Sequence, residues 1–321
     1  MRNATDYFNS NMPATPEKFY GRPSGMIKLP GEDLEVTEAI ALTPRIGIEG
    51  FSGCISPSAP AMVANFGDVG PVGAADGPPV WDQGAIIGGR SRWALRTWNP
   101  NKKNSQNAPN YVEFRNLVVR NAGVVLGNAQ TTSIDGLTVW NFSNHSAAGL
   151  VIPSGSHSHQ ASRVTVVGRY VAGPKKTANR RGAGILIQSA QTSLATVMFH
   201  HCGHGIVTLG RAMGTLSGAS MEHVQNPFRF DSHVPYFAAH NVQIHSCGNV
   251  LIDLTTTKDS PNRDIDLTLT VHNQHIGKEK APIPQYYRDH TGKPIELFKI
   301  GRKGWQTFRF CVRHKKVEVI H

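Results

Sequence analysis

Two segments of this chain, Val197-Met198-Phe199-His200-His201-Cys202-Gly203 and Val242-Gln243-Ile244-His245-Ser246-Cys247-Gly248, match at an offset of 45 residues. Between them lies Ala219-Ser220-Met221-Glu222-His223-Val224, 22 residues after the first and 23 before the second. A period of 22 to 23 residues is too short for most helical repeats and near the length of one coil of a parallel β-helix. Related strands occur earlier as Leu117-Val118-Val119-Arg120, Leu137-Thr138-Val139-Trp140 and Val164-Thr165-Val166-Val167, at spacings of 20, 27 and 33 residues counted from one strand to the next. Constant strands at variable spacing mean loops inserted at one corner of each coil.

A second strand set follows the turns: Val124-Leu126, Leu150-Ile152, Ile185-Ile187, Ile206-Leu209, Phe228-Phe230 and Val250-Ile252. Two strands and a Gly or Asn corner therefore make one coil. Alternate residues face a narrow interior, so Val197/Ala219/Val242, Phe199/Met221/Ile244 and Cys202/Val224/Cys247 are expected as inward stacks about 4.8 Å apart from coil to coil. An antiparallel sandwich alternates in the same way but has no reason to repeat His-x-Cys-Gly two turns apart. Composition agrees: 17% charged residues, 39% apolar residues and 32 glycines point to an all-β chain rich in turns. The fold expected is a right-handed parallel β-helix, a solenoid with long side loops and a C-terminal cap.

Around this core, residues 1–24 read as a polar N-terminal arm carrying Pro13, Pro16 and Pro23. The β-helix is expected over 25–276, with an irregular Pro-rich excursion at 56–84 and regular coils over 111–276. Residues 277–321 lose the period. Their runs Ile295–Ile300 and Thr307–Val312 are expected to cap the last coil, ahead of a basic tail at Arg313-His314-Lys315-Lys316, because an uncapped stack exposes a sheet edge.

The net charge of +11 favours an anionic partner. The basic residues are scattered without interleaved aromatics, which argues against nucleic acid. No signal-like start and no run of about 18 apolar residues is present, so neither a secretory leader nor a membrane partner is expected. The four cysteines lack C-x-x-C spacing and read as buried thiols.

The repeat aligns Arg120, Trp140, Val167, His200, Glu222 and His245 as one outward column. Its centre, His200/Glu222/His245, is the candidate catalytic group: a Glu between two imidazoles could serve as general acid or base, or supply metal ligands. The alternative is a polar ladder in which the histidines simply hydrogen-bond the Glu. Candidate ligand-binding residues are Trp140 and Arg120 on that column, the cationic loop residues Lys175, Lys176, Arg180 and Arg181, and Asp231 with Asp253, read as equivalently placed after their strands. A sugar site is expected in a groove between the column and the early region bearing Trp81, Trp93 and Trp98. His157-Ser158-His159 sits in an insertion and could gather a metal only on a three-fold axis. No metal site is assigned, and no cofactor is implied.

The opening Gly25-Met26-Ile27-Lys28-Leu29-Pro30, followed by Ile40-x-Leu42 and Ile48-Glu49-Gly50, resembles the first coil of the pectate-lyase-like β-helix superfamily, especially phage tailspike-type proteins. The resemblance covers roughly 25–276. It implies a homotrimeric, virion-associated adhesin or surface decoration that contacts other virion proteins and binds cell-surface polysaccharide; extracellular or cytoplasmic placement is the alternative. It also leaves room for a polysaccharide lyase or glycosidase acting on an acidic glycan, or for a purely structural β-helix. Gly203-His204-Gly205 resembles a motif of the polygalacturonase-type glycosidases, but their Asn-Thr-Asp, Asp-Asp and Arg-Ile-Lys companions are missing, and with them the carboxylate pair that hydrolysis needs.

Overall fold

Alternation with period two puts every second side chain of a strand on the same face. Here that alternation recurs coil after coil and builds two long stacks. The computed structural model describes residues 2–11, 25–28, 32–38, 46–55, 62–63, 80–88, 93–96, 112–126, 131–144, 146–154, 158–169, 182–188, 191–231, 234–248, 250–255, 264–272, 283–300, 304–314 and 316–321. The long strands Val112–Arg120, Thr131–Trp140, Ser158–Val167, Gln191–His200, Met213–Glu222, Tyr236–His245 and Asp264–His272 pair in parallel within a 14-stranded sheet. After most of them the chain crosses to a short strand of a 10-stranded sheet, for example His204–Thr208 or Asn226–Phe230, and then returns. The architecture is all-β with long parallel stacks, compatible with a β-helix or solenoid.

The register agrees with the repeat. Val197 pairs with Ala219 and Ala219 with Val242, while Phe199, Met221 and Ile244 form the next inward stack. All six are buried, as are Cys202, Val224 and Cys247, and one core cluster runs the length of the stack. None of the four cysteines is in a disulfide.

One expectation is corrected by the backbone. Each long strand before Asp264–His272 is bent at its middle by a residue with positive φ, at Gly50, Gln83, Asn116, Gly136, Arg163, Thr196, Gly218 and Asn241. These residues form a column, so a coil contains three straight segments, two of them merged in the long strand. Apolar alternation continues through the bend, as in Leu194 and Val197 on either side of Thr196, and hides the corner from a reading of periodicity. The bend is lost in the last parallel strand: Ala239 and Val242 pair with Leu267 and Leu269, leaving one residue opposite two.

Both ends of the stack are closed. Residues 2–11 belong to the expected arm, yet Arg2–Asn3 pairs with Leu34–Glu35, and the helix Ala4–Asn11 buries Ala4 and Phe8 in the core. Asn3 caps that helix by accepting the Asp6 amide at 3.2 Å. The rest of the arm, 12–24, lies outside the described residues. The Pro-rich excursion ends before the expected 84, since Val80–Ile87 is a full strand of the long sheet. At the other end Trp305–Arg313 pairs antiparallel with Asp264–His272, and Lys316–Ile320 adds beyond it. Arg313 and His314 therefore belong to a hairpin and not to a basic tail. Pro294–Ile300 closes the short sheet in the same antiparallel sense.

Arg309 donates to both oxygens of the mostly buried Asp266, at 2.8 and 2.5 Å, and Arg313 adds a contact at 3.3 Å. The Arg309 hydrogen bonds hold the Asp266 carboxyl down at about 2, against a partial desolvation that raises it. A depressed carboxylate stabilises the fold above its unfolded value near 4, and that contribution is lost as pH falls towards 2. Asp266→Asn is expected to cost about 2 kcal/mol at neutral pH and to flatten the acid limb of stability between about pH 4 and 2, read by urea denaturation across that range. At the bend, Thr196 is an exposed β-branched residue at φ 53°, a conformation that costs such a residue roughly 1–2 kcal/mol. Thr196→Asn is expected to stabilise the protein by about 1 kcal/mol, measured in the same assay.

Candidate functional site

Parallel pairing sets equivalent residues of successive coils side by side, and the polar column follows from that. Arg120 pairs with Trp140, Trp140 with Val167, Val167 with His200, His200 with Glu222 and Glu222 with His245. The column continues through His272 to Trp305 of the capping strand. Arg120 and Trp140 are exposed, Trp140 at 44%, while Val167 is buried.

Glu222 lies 3.2 Å from His200 Nδ1, as the column requires. Its second imidazole is His223 Nε2 at 3.5 Å, on its own turn, and not His245. His223 reaches it because the turns after five of the long strands are also a column: Asn121, Asn141, His201, His223 and Ser246 all have positive φ. The backbone amides of Asn121, His201, His223 and Ser246 donate to column carbonyls one coil on, at 2.8 to 3.2 Å. Equivalent turn positions stack the His201 and His223 rings, 5.2 Å apart and within 6° of parallel. His245 instead lies perpendicular to Trp305 with ring centres 4.8 Å apart, and the His272 ring centre lies 4.6 Å from the same indole. Burial pushes His245 below the ordinary histidine range; His272 and His200 add to that shift, and Glu222 opposes it.

The cluster thus holds five histidines, one carboxylate and one tryptophan. Among the described residues no group of three His, Cys, Asp or Glu side chains is placed to hold a metal ion. His201 and His223 were legible at the same 22-residue offset that aligned His200 with Glu222. His272 and Trp305 were hidden by the bulge and by the reversal of chain direction.

Asp231 and Asp253 are not register partners, which corrects the expected pair. Asp253 pairs with Arg229, and Asp231 accepts from Arg229 Nε at 3.0 Å. Asp253 is buried, accepts from the Thr255 amide at 3.0 Å and hydroxyl, and has Arg288 at 3.7 Å. Each acid is thus ion-paired with an arginine. His204 opens a strand, with Asn226 Nδ2 3.4 Å from its Nε2; burial first, then Arg229, lowers its pKa. A Cβ at Gly205 would lie 2.6 Å from the Pro227 carbonyl, so that glycine serves close packing. Lys175, Lys176, Arg180 and Arg181 lie outside the described residues, as does His157. His159 is in the strand Ser158–Val167 and buried, not in a loop.

Of the early tryptophans beside which a groove was expected, Trp81 has its side chain outside the described residues. Trp93 packs half-buried against the small cluster of Ala148, Val151, Ala183 and Val207, and Trp98 lies outside the described residues. Among the described residues a groove of about 330 Å³ opens at the start of four successive long strands, from Ser158 to Tyr236. Ser158, Gln160, Gln191, Ser193, Thr215 and Tyr236 are among its lining residues. The Ser158 hydroxyl donates to Gln191 Oε1 at 3.2 Å and the Thr215 hydroxyl to Ser193 Oγ at 3.3 Å, tying neighbouring coils across the rim.

No family model matches this chain, and no curated protein matches it. Among the described residues no helix is long and apolar enough to cross a membrane.

Because Glu222 raises the pKa of His245, Glu222→Gln is expected to lower it further. A histidine-resolved NMR titration checks this; an unchanged or higher His245 pKa would mean that the carboxylate does not act on that ring.

Proposed function

We propose that the protein is a particle-borne attachment protein of the tailspike type, a pectate-lyase-like β-helix that binds cell-surface polysaccharide without cutting it. Its coils wind right-handed, the sense that nearly all connections between parallel strands of one sheet adopt. The attached form is a homotrimer whose N-terminal region meets other virion components.

The observation that carries the non-cutting reading is the lone carboxylate of the polar column. Glu222 is held by His200 and His223, while Asp231 and Asp253 are each engaged by arginine. Glycoside hydrolysis by the usual route needs two carboxyl groups facing one bond, and among the described residues the register partners of Glu222 are His200 and His245, not a second acid. A lyase that works through calcium would need several oxygen ligands together. The opening coil Gly25–Lys28, paired with Ile46–Glu49, supports the family reading through its resemblance alone.

The test incubates the full chain with neutral and acidic polysaccharides, scoring binding, reducing ends and unsaturated uronates together. Binding without new ends, unaffected by Glu222→Gln, is expected. Turnover that falls on Glu222→Gln would move the protein to the depolymerases. Light scattering is expected to return a trimer, and a monodisperse monomer would remove the tailspike assignment.

A further inference from the structure

We propose that the groove between Ser158 and Tyr236 binds an uncharged oligosaccharide laid along the stacking axis. This rests on the attachment reading above and names its ligand class and site. The overall charge of +11 favours an anionic partner, yet among the described residues no Asp, Glu, Lys or Arg lines this groove. An anionic sugar seated there would give up hydration with no Lys or Arg among the described lining residues to replace it, whereas the hydroxyls of a neutral one meet amides and hydroxyls.

The lining chemistry matches a polyhydroxyl ligand. Gln160 and Gln191 present amides, and Ser158, Ser193 and Thr215 present hydroxyls. Each of these groups donates and accepts, as sugar hydroxyls do. Thr192 lies between Gln191 and Ser193 on the inward face of its strand and is buried, so the ligand-facing groups are those of the outward positions. At the far end Tyr236 is 42% exposed and offers a flat apolar face with a polar tip, the surface on which a pyranose ring stacks.

The length is also informative. The groove crosses four strands, hence three inter-strand spacings of about 4.8 Å, or roughly 14 Å. That accommodates a short oligosaccharide and exceeds a single ring. The rim repeats with the coils, Gln160, Ser193 and Thr215 being successive register partners, so a polymer with a regular repeat meets regularly spaced polar groups.

The test probes the full chain against an array of neutral oligosaccharides and length-matched uronate and sialylated ones, at low and high salt. Three variants accompany it: Tyr236→Ala, Thr215→Glu and the rim change Gln191→Ala, with thermal melts to certify folding. Binding to neutral oligosaccharides is expected, insensitive to salt. Tyr236→Ala should weaken it about tenfold. Thr215→Glu should weaken it at least as much, and Gln191→Ala more mildly. Neutral binding that all folded variants retain would overturn the site, as would a preference for acidic glycans that fades with salt. Wild-type binding to intact cells with silence on neutral sugars overturns the groove and spares the attachment reading. Silence on cells and sugars alike ends both.

Discussion

The rest of the structure depends on in-register parallel pairing between successive coils. Backbone hydrogen bonds fix neighbouring strands about 4.8 Å apart and set each residue beside its counterpart one coil away. Like therefore meets like. Val197, Ala219 and Val242 stack inside for this reason, and so do His200, Glu222 and His245 outside. Conformation is copied along with side chains: the positive-φ residues form two columns, one bending the long strands and one turning the chain after them. The stacked rings of His201 and His223 are a by-product of that second column.

A ladder of this kind has no natural end, and its two ends are closed differently. A capped helix, Ala4–Asn11, puts Ala4 and Phe8 over the first coil. At the other end the chain reverses, and antiparallel strands carrying Phe298, Phe308 and Phe310 join the core. The arginines of the cap reach back to Asp264 and Asp266 of the last parallel strand. The missing bend residue in that strand leaves it straight where its antiparallel partner lies along it.

The two polar features of the outer surface differ in kind. The histidine column gathers groups that satisfy one another: Glu222 with His200 and His223, and Trp305 with His245 and His272. Among the described residues its carboxylate, Glu222, is engaged by two imidazoles. The groove at Ser158–Tyr236 leaves its groups facing outward, with amides and hydroxyls tied only along the rim. A recognition surface is better made from the second than from the first, since its hydrogen-bonding capacity is not already spent.

What the sequence determined by itself was everything that repeats. The offset of 22 to 23 residues carried the parallel stacks, the inward triplets and the order of the outward column, because in-register pairing converts sequence period directly into spatial adjacency. Tertiary structure decided what has no period. The mid-strand bend left the apolar alternation intact and so left no mark in it; Trp305 arrived beside His272 only through a reversed strand; and Asp253 met Arg229 because a corner of one residue more or less shifts the pairing. The groove belongs to the same class. Its lining comes from the starts of four strands whose loops differ in length, so only folding brings Ser158 and Tyr236 to the same opening.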